Sequence, residues 1–290
     1  MKILNFGSLN IDHVYAVEHF AAPGETVSVR SYQKNPGGKG LNQSVALARA
    51  GAPVCHAGGI GEDGRHLAAL LSAEGVDVTH LVVTDEPTGH AVIQVAPDGQ
   101  NCILVCAGAN GAIPEGYMRS VLSCFGEGDW LLLQNEVAGL STLLTLAKER
   151  GMRVILNPSP ITEALLAADL SAVDCFLFNE TEGFALTGER EPSAMLNALA
   201  ERYPRAEIVL TLGADGAFWQ ADGERTYCPA CPVDAVDTTA AGDTFTGYFL
   251  AARAEGASPA DALSLAARAA AIAVTRPGTA ESVPYRHEVG

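Results

Sequence analysis

Short apolar runs that alternate with amphipathic segments constrain this chain more than any other feature. Residues 54–57, 130–134, 154–157, 175–178 and 208–212 read as buried strands. Between them, residues 66–73 and 141–150 carry apolar side chains at helical spacing and are closed by Gly75 and Gly151. Apolar strands alternating with helices pack as a parallel sheet covered on both faces. The expectation is an α/β fold with a mostly parallel central sheet. No linker, repeat or low-complexity segment divides residues 1–290, so a single domain is expected.

Polar residues recur where these strands end. Gln134-Asn135-Glu136, Asn157, Asn179 to Glu182 and Thr211 to Gly216 each follow an apolar run. Any one of them could be a turn or a cap. Their recurrence matters because the C-terminal edge of an open α/β sheet is where such folds bind ligands. A first strand over residues 2–6 is followed by Asn10 and Asp12, expected in a loop at that same edge. Residues 14–32 and 89–105 read as short strands, with 26–29 one of them and turns at Pro23-Gly24 and Pro97-Asp98-Gly99.

Two glycine-containing stretches carry chemistry. Asp237-Thr238-Thr239-Ala240-Ala241-Gly242-Asp243 opens a helix over 244–254 whose Phe245, Phe249 and Ala252 share one face. The unpaired N–H groups and positive end of such a helix make an anion site. Ala240, Ala241 and Gly242 let an anion approach the backbone, and Asp243 beside it is a candidate general base. The alternative is a glycine turn with an acid stabilising a helix N-terminus. The second stretch, Asn35 to Asn42, passes from a loop into a helix that Gly51 closes. Gly38 permits close backbone approach and Lys39 offers a positive charge, but the P-loop pattern is absent.

A formal net charge of −16 excludes nucleic acid and anionic membrane as expected partners. An anionic substrate would then need local positive charge from Lys39, helix N-termini and bound cations. No signal peptide or window of membrane-spanning length is read, and a cytoplasmic location is expected. The seven cysteines, an odd number spread over apolar segments, read as reduced, buried thiols. Cys228 and Cys231 have CxxC spacing, which invites a redox or zinc reading. No second such pair or histidine pair accompanies them, and the alternative is a strand end leading into residues 237–243.

The two stretches, in this order and with the smaller motifs between them, resemble the ribokinase family of sugar kinases over nearly the whole chain. The resemblance implies a three-layer fold with a small β-lid formed by about residues 13–34 and 89–106, the lid pairing two subunits as a homodimer. It implies transfer of the γ-phosphate of ATP to a sugar hydroxyl, with D-ribose and its 5-hydroxyl expected first. Deoxyribose, a ketohexose or a nucleoside such as pseudouridine are the alternatives, with a non-catalytic sugar-binding regulator behind them. By the same resemblance Asp243 is the base, and Ala240, Ala241 and Gly242 form the anion hole. Asn10, Asp12, Gly38, Lys39, Asn42 and Glu136 meet the sugar. Asn179, Glu182, Thr211, Gly213 and Gly216 meet ATP and its Mg²⁺. Asp237, Thr239, Ala273, Arg276, Gly278 and Ser282 hold a monovalent cation, K⁺. Val14, His90, Ile93 and Gln94 of the lid are expected to select the substrate. Leu41, where a smaller residue is common, is expected to narrow the pocket, and the chain is expected to close without the terminal helix common in such relatives.

Overall fold

In a computed structural model that describes residues 1–290, the elements follow the alternation of the sequence. In chain order they are β1 (Ile3–Phe6), β2 (Asn10–Ala16), β3 (Ser31–Gly37), α1 (Lys39–Arg49), β4 (Val54–Ile60) and α2 (Arg65–Ala73). Next come β5 (Asp77–Val83), β6 (Gly89–Val95), β7 (Asn101–Cys106), α3 (Glu115–Leu122), β8 (Trp130–Gln134), α4 (Leu140–Glu149) and β9 (Arg153–Asn157). Then follow α5 (Glu163–Leu166), β10 (Cys175–Asn179), α6 (Glu180–Thr187), α7 (Pro192–Arg202), β11 (Glu207–Thr211), β12 (Ala217–Ala221) and β13 (Glu224–Cys228). The chain closes through α8 (Ala241–Ala254), α9 (Pro259–Val274) and the one-turn α10 (Arg286–Val289).

Nine strands form the main sheet in the order β13-β12-β11-β10-β9-β8-β1-β4-β5. All neighbours from β11 to β5 are parallel, and the β11–β12 and β12–β13 pairs are antiparallel. Successive side chains of a strand point to opposite faces. Ile3, Leu132, Ile155, Leu177 and Val209 accordingly join one core, beneath α1, α2, α8 and α9. Leu4, Leu131, Leu133, Leu156 and Leu210 join the other, beneath α3, α4 and α7. The result is three layers, and no helix is long and apolar enough to cross a membrane.

A second sheet, β3-β2-β6-β7, stands apart from the first. It corrects two expectations. Asn10 and Asp12 do not lie in a loop; they begin β2, which pairs with β6 in parallel and β3 in antiparallel. Residues 26–29 form no strand, and the strand runs instead through Ser31–Gly37. It includes Pro36, which an edge strand accepts because its missing N–H faces outward. β7 is the other edge, and its Ile103, Leu104 and Val105 are exposed. The expectation of buried thiols holds for Cys55 and Cys175 but not for Cys102, Cys106 and Cys124, which are exposed. Cys102 and Cys106 lie on β7 and its apolar run is an uncovered edge, a fact that alternation alone does not reveal.

Helices α1 and α8 pack directly on one another. A Cβ on Gly247 would lie 2.3 Å from the Cβ of Ala46 and 2.8 Å from the backbone of α1. Only glycine allows this approach, which brings the N-terminal turns of both helices to one place. Gly247→Val should therefore lower the unfolding free energy by about 1–3 kcal/mol through overpacking. A lowered urea midpoint at unchanged m-value is the expected readout; an unchanged midpoint would mean the helices part there freely.

Candidate active site

The N-terminal turn of α8 carries Asp243, which is 6% exposed. Its Oδ1 accepts from Gln43 Nε2 at 2.8 Å and its Oδ2 from Asn42 Nδ2 at 3.0 Å. Burial pushes its pKa up, while Lys39 and the two amide donors pull it back, and the balance leaves it above the ordinary aspartate value. Ala240 is the N-cap of α8. The N–H groups of Ala240, Gly242 and Asp243 meet no acceptor within the protein. The N–H of Ala241, expected in the same anion hole, donates instead to the Thr238 carbonyl at 3.2 Å. Three amides rather than four face outward there, because a turn closes one residue inside the helix.

Beside them lies a cavity of about 200 Å³ lined by Lys39, Asn157, Asn179, Glu182, Thr211, Thr239, Gly242 and Asp243 among others. Asn179 and Glu182 close a capping box at the start of α6. Asn179 Oδ1 accepts the Glu182 N–H, and Glu182 Oε2 accepts the Asn179 N–H, both at 2.9 Å. Their spacing thus has a local structural cause, and both still face the cavity. Gly213 and Gly216 lie farther out, bounding the turn between β11 and β12.

Lys39 joins this cavity to a second cluster under the lid sheet. Gly38 precedes it as the N-cap of α1, at a φ of 94° that other residues rarely adopt. Burial lowers the Lys39 pKa, but Asp243, Glu136 and Glu182 outweigh it and hold the ammonium above its usual value. Glu136 Oε2 accepts from the Ser8 hydroxyl at 2.5 Å and the Lys39 N–H at 2.9 Å. Burial raises Glu136 above the usual carboxylate range despite these bonds. Asp12 is pushed up to about 6 by burial and by Glu136, and no protein hydrogen bond contributes. Asn10 Oδ1 accepts from Asn110 Nδ2 at 2.8 Å. Asn42 Oδ1 is buried without a partner.

Three expectations about the pocket need correction. His90 and Gln94 cannot share the face of Asp12, because Asp12 and Val14 pair in register with Ala91 and Ile93. Val14 and Ile93 do share it. Leu41 does not narrow the pocket; it is fully buried in the core with α8 and α9. Asn42 holds the carboxylate of Asp243 as well as presenting its carbonyl, so its role is wider than a sugar contact. Gln43, Ser8 and Asn110 are neighbours that the sequence pattern does not single out, whereas Asn157, one of the polar strand ends, lines the cavity as expected of that edge. Glutamine next to an N-cap motif reads as an ordinary exposed helix residue, and only the burial of α1 gives it another meaning.

Of the expected cation residues, Thr239 lines the cavity, and the others gather around the end of α9. Asp237 Oδ1 accepts from the Thr239 N–H and hydroxyl, and Oδ2 from the Gly278 N–H. Burial raises the Asp237 pKa, but these bonds prevail and hold it below the ordinary value. The Ala273 carbonyl accepts the Arg276 N–H, and the Ser282 hydroxyl donates to the Thr279 carbonyl. The carbonyls of Arg276 and Gly278 receive no hydrogen bond from the protein. The Arg276 guanidinium pairs with Glu288 at 2.6 Å and has no acceptor of its own, so only the backbone of this residue could meet a cation.

A three-layer sheet with amides, a buried carboxylate and a lysine converging at its C-terminal edge defines a phosphotransferase of the α/β class. The pfkB family carbohydrate kinase model matches residues 1–286, and the chain belongs to that family. It is 40% identical to a ribokinase of Haemophilus influenzae, over 97% of this chain and 95% of that one. The structure of a Cryptococcus neoformans ribokinase in complex with ADP superposes with a TM-score of 0.86 at 37% identity, covering 99% and 98% of the two chains. An Arabidopsis thaliana ribokinase complexed with ribose and ATP does so at 0.84 and 32%, covering 99% and 96%.

The electrostatic coupling of Asp12 and Glu136 can be read directly. Carboxyl-carbon NMR should place the Asp12 midpoint near pH 6 in the free protein. Glu136→Gln removes a negative neighbour and should lower that midpoint, with burial keeping it above the ordinary aspartate value. A midpoint unmoved by the substitution would mean that the two carboxylates do not interact.

Proposed function

We propose that the chain transfers the γ-phosphate of ATP to the 5-hydroxyl of D-ribose. The observation that carries the reading is a buried carboxylate, Asp243, in the first turn of a helix whose free N–H groups border the cavity beside Lys39. Asp243 accepts the proton of the primary hydroxyl as its oxygen attacks the γ-phosphorus, and ADP leaves with the displaced bridging oxygen. A raised pKa makes Asp243 a better proton acceptor. The amides of Ala240, Gly242 and Asp243 and the ammonium of Lys39 face the charge that spreads over the transferring group.

The sugar side is supported by unsatisfied polar groups. Asp12 has no protein donor, Asn42 Oδ1 has no partner, and Asn10 and Glu136 each keep one polar atom uncommitted. Two carboxylates and two amides around one small ligand call for several hydroxyls. Gly38 and Lys39 bound the same space. Ribose is favoured by the ribokinases to which the chain is similar. On the nucleotide side, Thr211, Gly213 and Gly216 are assigned to ATP. Asn179 and Glu182 would hold its Mg²⁺, since a buried carboxylate at a cavity for phosphates needs a cation between. When bound, Mg²⁺ supplies positive charge to the phosphate oxygens.

The oxygen-only donor set of Asp237 and the free carbonyls of Arg276 and Gly278 fits a K⁺ ion, with Thr239, Ala273 and Ser282 around it. The exposed apolar edge at Ile103 to Val105 supports a homodimer joined through the lid. A cytoplasmic location and the absence of nucleic-acid or membrane partners remain the reading of charge and composition.

Asp243→Asn should lower turnover by at least about a hundredfold with ATP binding largely kept. In steady-state kinetics ribose should be used best, with 2-deoxyribose clearly worse because an acceptor is left empty. Asp12→Ala should weaken ribose use far more than ATP use. A higher kcat/KM for deoxyribose, fructose or pseudouridine would replace ribose as the substrate. Wild-type turnover in Asp243→Asn would remove the base.

Potassium should activate and sodium should do so poorly. Equal rates in potassium and in a bulky organic-cation buffer would remove the cation site.

A further inference from the structure

Behind the catalytic carboxylate runs a chain of buried polar side chains that touches no expected ligand. Asn5, Gln43, Ser44, His56 and Gln134 are each within 0% exposure, inside a sheet-and-helix core that is otherwise apolar. Gln134 Nε2 donates to Gln43 Oε1 at 2.7 Å and to Asn5 Oδ1 at 3.0 Å. Gln43 Nε2 donates to Asp243 Oδ1 and, at 3.1 Å, to Asn157 Oδ1. On the other arm, Asn5 Nδ2 donates to Ser44 Oγ at 2.8 Å, and Ser44 Oγ meets His56 Nδ1 at 2.7 Å. His56 Nε2 lies 3.2 Å from the Gly7 carbonyl.

The direction of every bond follows from the two ends. The Gly7 carbonyl can only accept, so His56 carries its proton on Nε2. Burial keeps this imidazole neutral by pushing its pKa down to about 4. Nδ1 is then an acceptor, and the Ser44 hydroxyl must donate to it. Asn5 must in turn donate to Ser44 with its amide nitrogen, which turns its carbonyl towards Gln134. Gln134 therefore presents its amide nitrogen to Gln43, and Gln43 can only present its own to Asp243. A flip of any amide would set two donors or two acceptors against each other in a dry core, a costly arrangement.

We infer that Gln43 is a positioning residue for the reaction, and that Gln134, Asn5, Ser44 and His56 fix its amide so that a donor always faces the base. The inference rests on the reading of Asp243 as that base. The donor holds the plane of the carboxylate, and it favours the ionised form that can take a proton. The charged groups that face Asp243 are Lys39 on α1, Glu182 on α6 and Glu136 after β8. None is altered by substitutions in the polar chain.

The test compares Gln43→Leu, Gln134→Met and Asp243→Asn. Without its donor, Asp243 becomes easier to protonate. In Gln43→Leu, kcat should fall about tenfold or more, and the acid limb of its pH profile should move up by about one unit. KM for ATP and sugar should stay within about threefold, and part of the lost turnover should return at higher pH. Gln134→Met, one link away, should show the same changes at smaller size. A merely structural role would lower Tm and leave the limb in place. If Asp243→Asn is inactive while both glutamine variants keep the wild-type kcat and limb, the inference is overturned and the base stands. If Asp243→Asn is active, the base reading falls first. In wild-type enzyme, the side-chain amide protons of Gln43 and Gln134 should exchange slowly with solvent; exchange at the rate of a free amide would overturn the inference even if the variants fail to fold.

Discussion

Asn42 and Gln43 bind a carboxylate that lies 201 and 200 residues further along the chain, and the functional architecture depends on that pair of bonds. They are made because α1 and α8 touch without side chains between them, at Gly247 and Ala46. One contact therefore sets two things at once: the packing of the core on one face of the sheet and the place of Asp243 relative to Lys39. A buried carboxylate would be costly alone. Here it is held by two amide donors and a nearby ammonium, and the first amides of its own helix meet no acceptor within the protein.

The chain carries a net charge of −16 and yet is built to receive a polyanion. The conflict is resolved locally. Lys39 is the ammonium to which Asp243, Glu136 and Glu182 all couple, and their attraction overcomes the cost of its burial. Positive potential for phosphates then comes from this lysine, from the α8 N-terminus and from the cations that acidic and carbonyl oxygens can hold. Acidic side chains in such a site are therefore compatible with an anionic substrate once the neighbours of each are counted.

The second sheet carries Asn10 and Asp12, two of the residues proposed to meet the sugar. Its β2 begins at Asn10, so Asn10 and Asp12 are carried by a strand and held more firmly than a loop would hold them. Strand alternation then decides which residues of β6 share the face of Asp12. Val14 and Ile93 share the face of Asp12, while His90 and Gln94 turn to the other side. The same sheet leaves β7 as an exposed apolar edge.

The apolar runs determined the parallel sheet and the helices on both its faces, because that pattern has few other ways to bury itself. The two motifs determined where chemistry would gather: Asp243 at a helix start, Lys39 after Gly38, and polar residues at strand ends. Local spacing reaches only neighbours within a few residues, so it could not reveal contacts across two hundred. Only the tertiary structure decided that Gln43 faces Asp243, that Leu41 belongs to the core, and that the Ala241 amide is already taken. Only the tertiary structure, too, put Asn10 and Asp12 in a strand, since the pairing that makes them one comes from residues 31–37 and 89–95. Hydrogen-bond direction in the buried chain from His56 to Asp243 likewise has no local signal. It is set by acceptors at both ends, in a buried core where a mismatched orientation is costly.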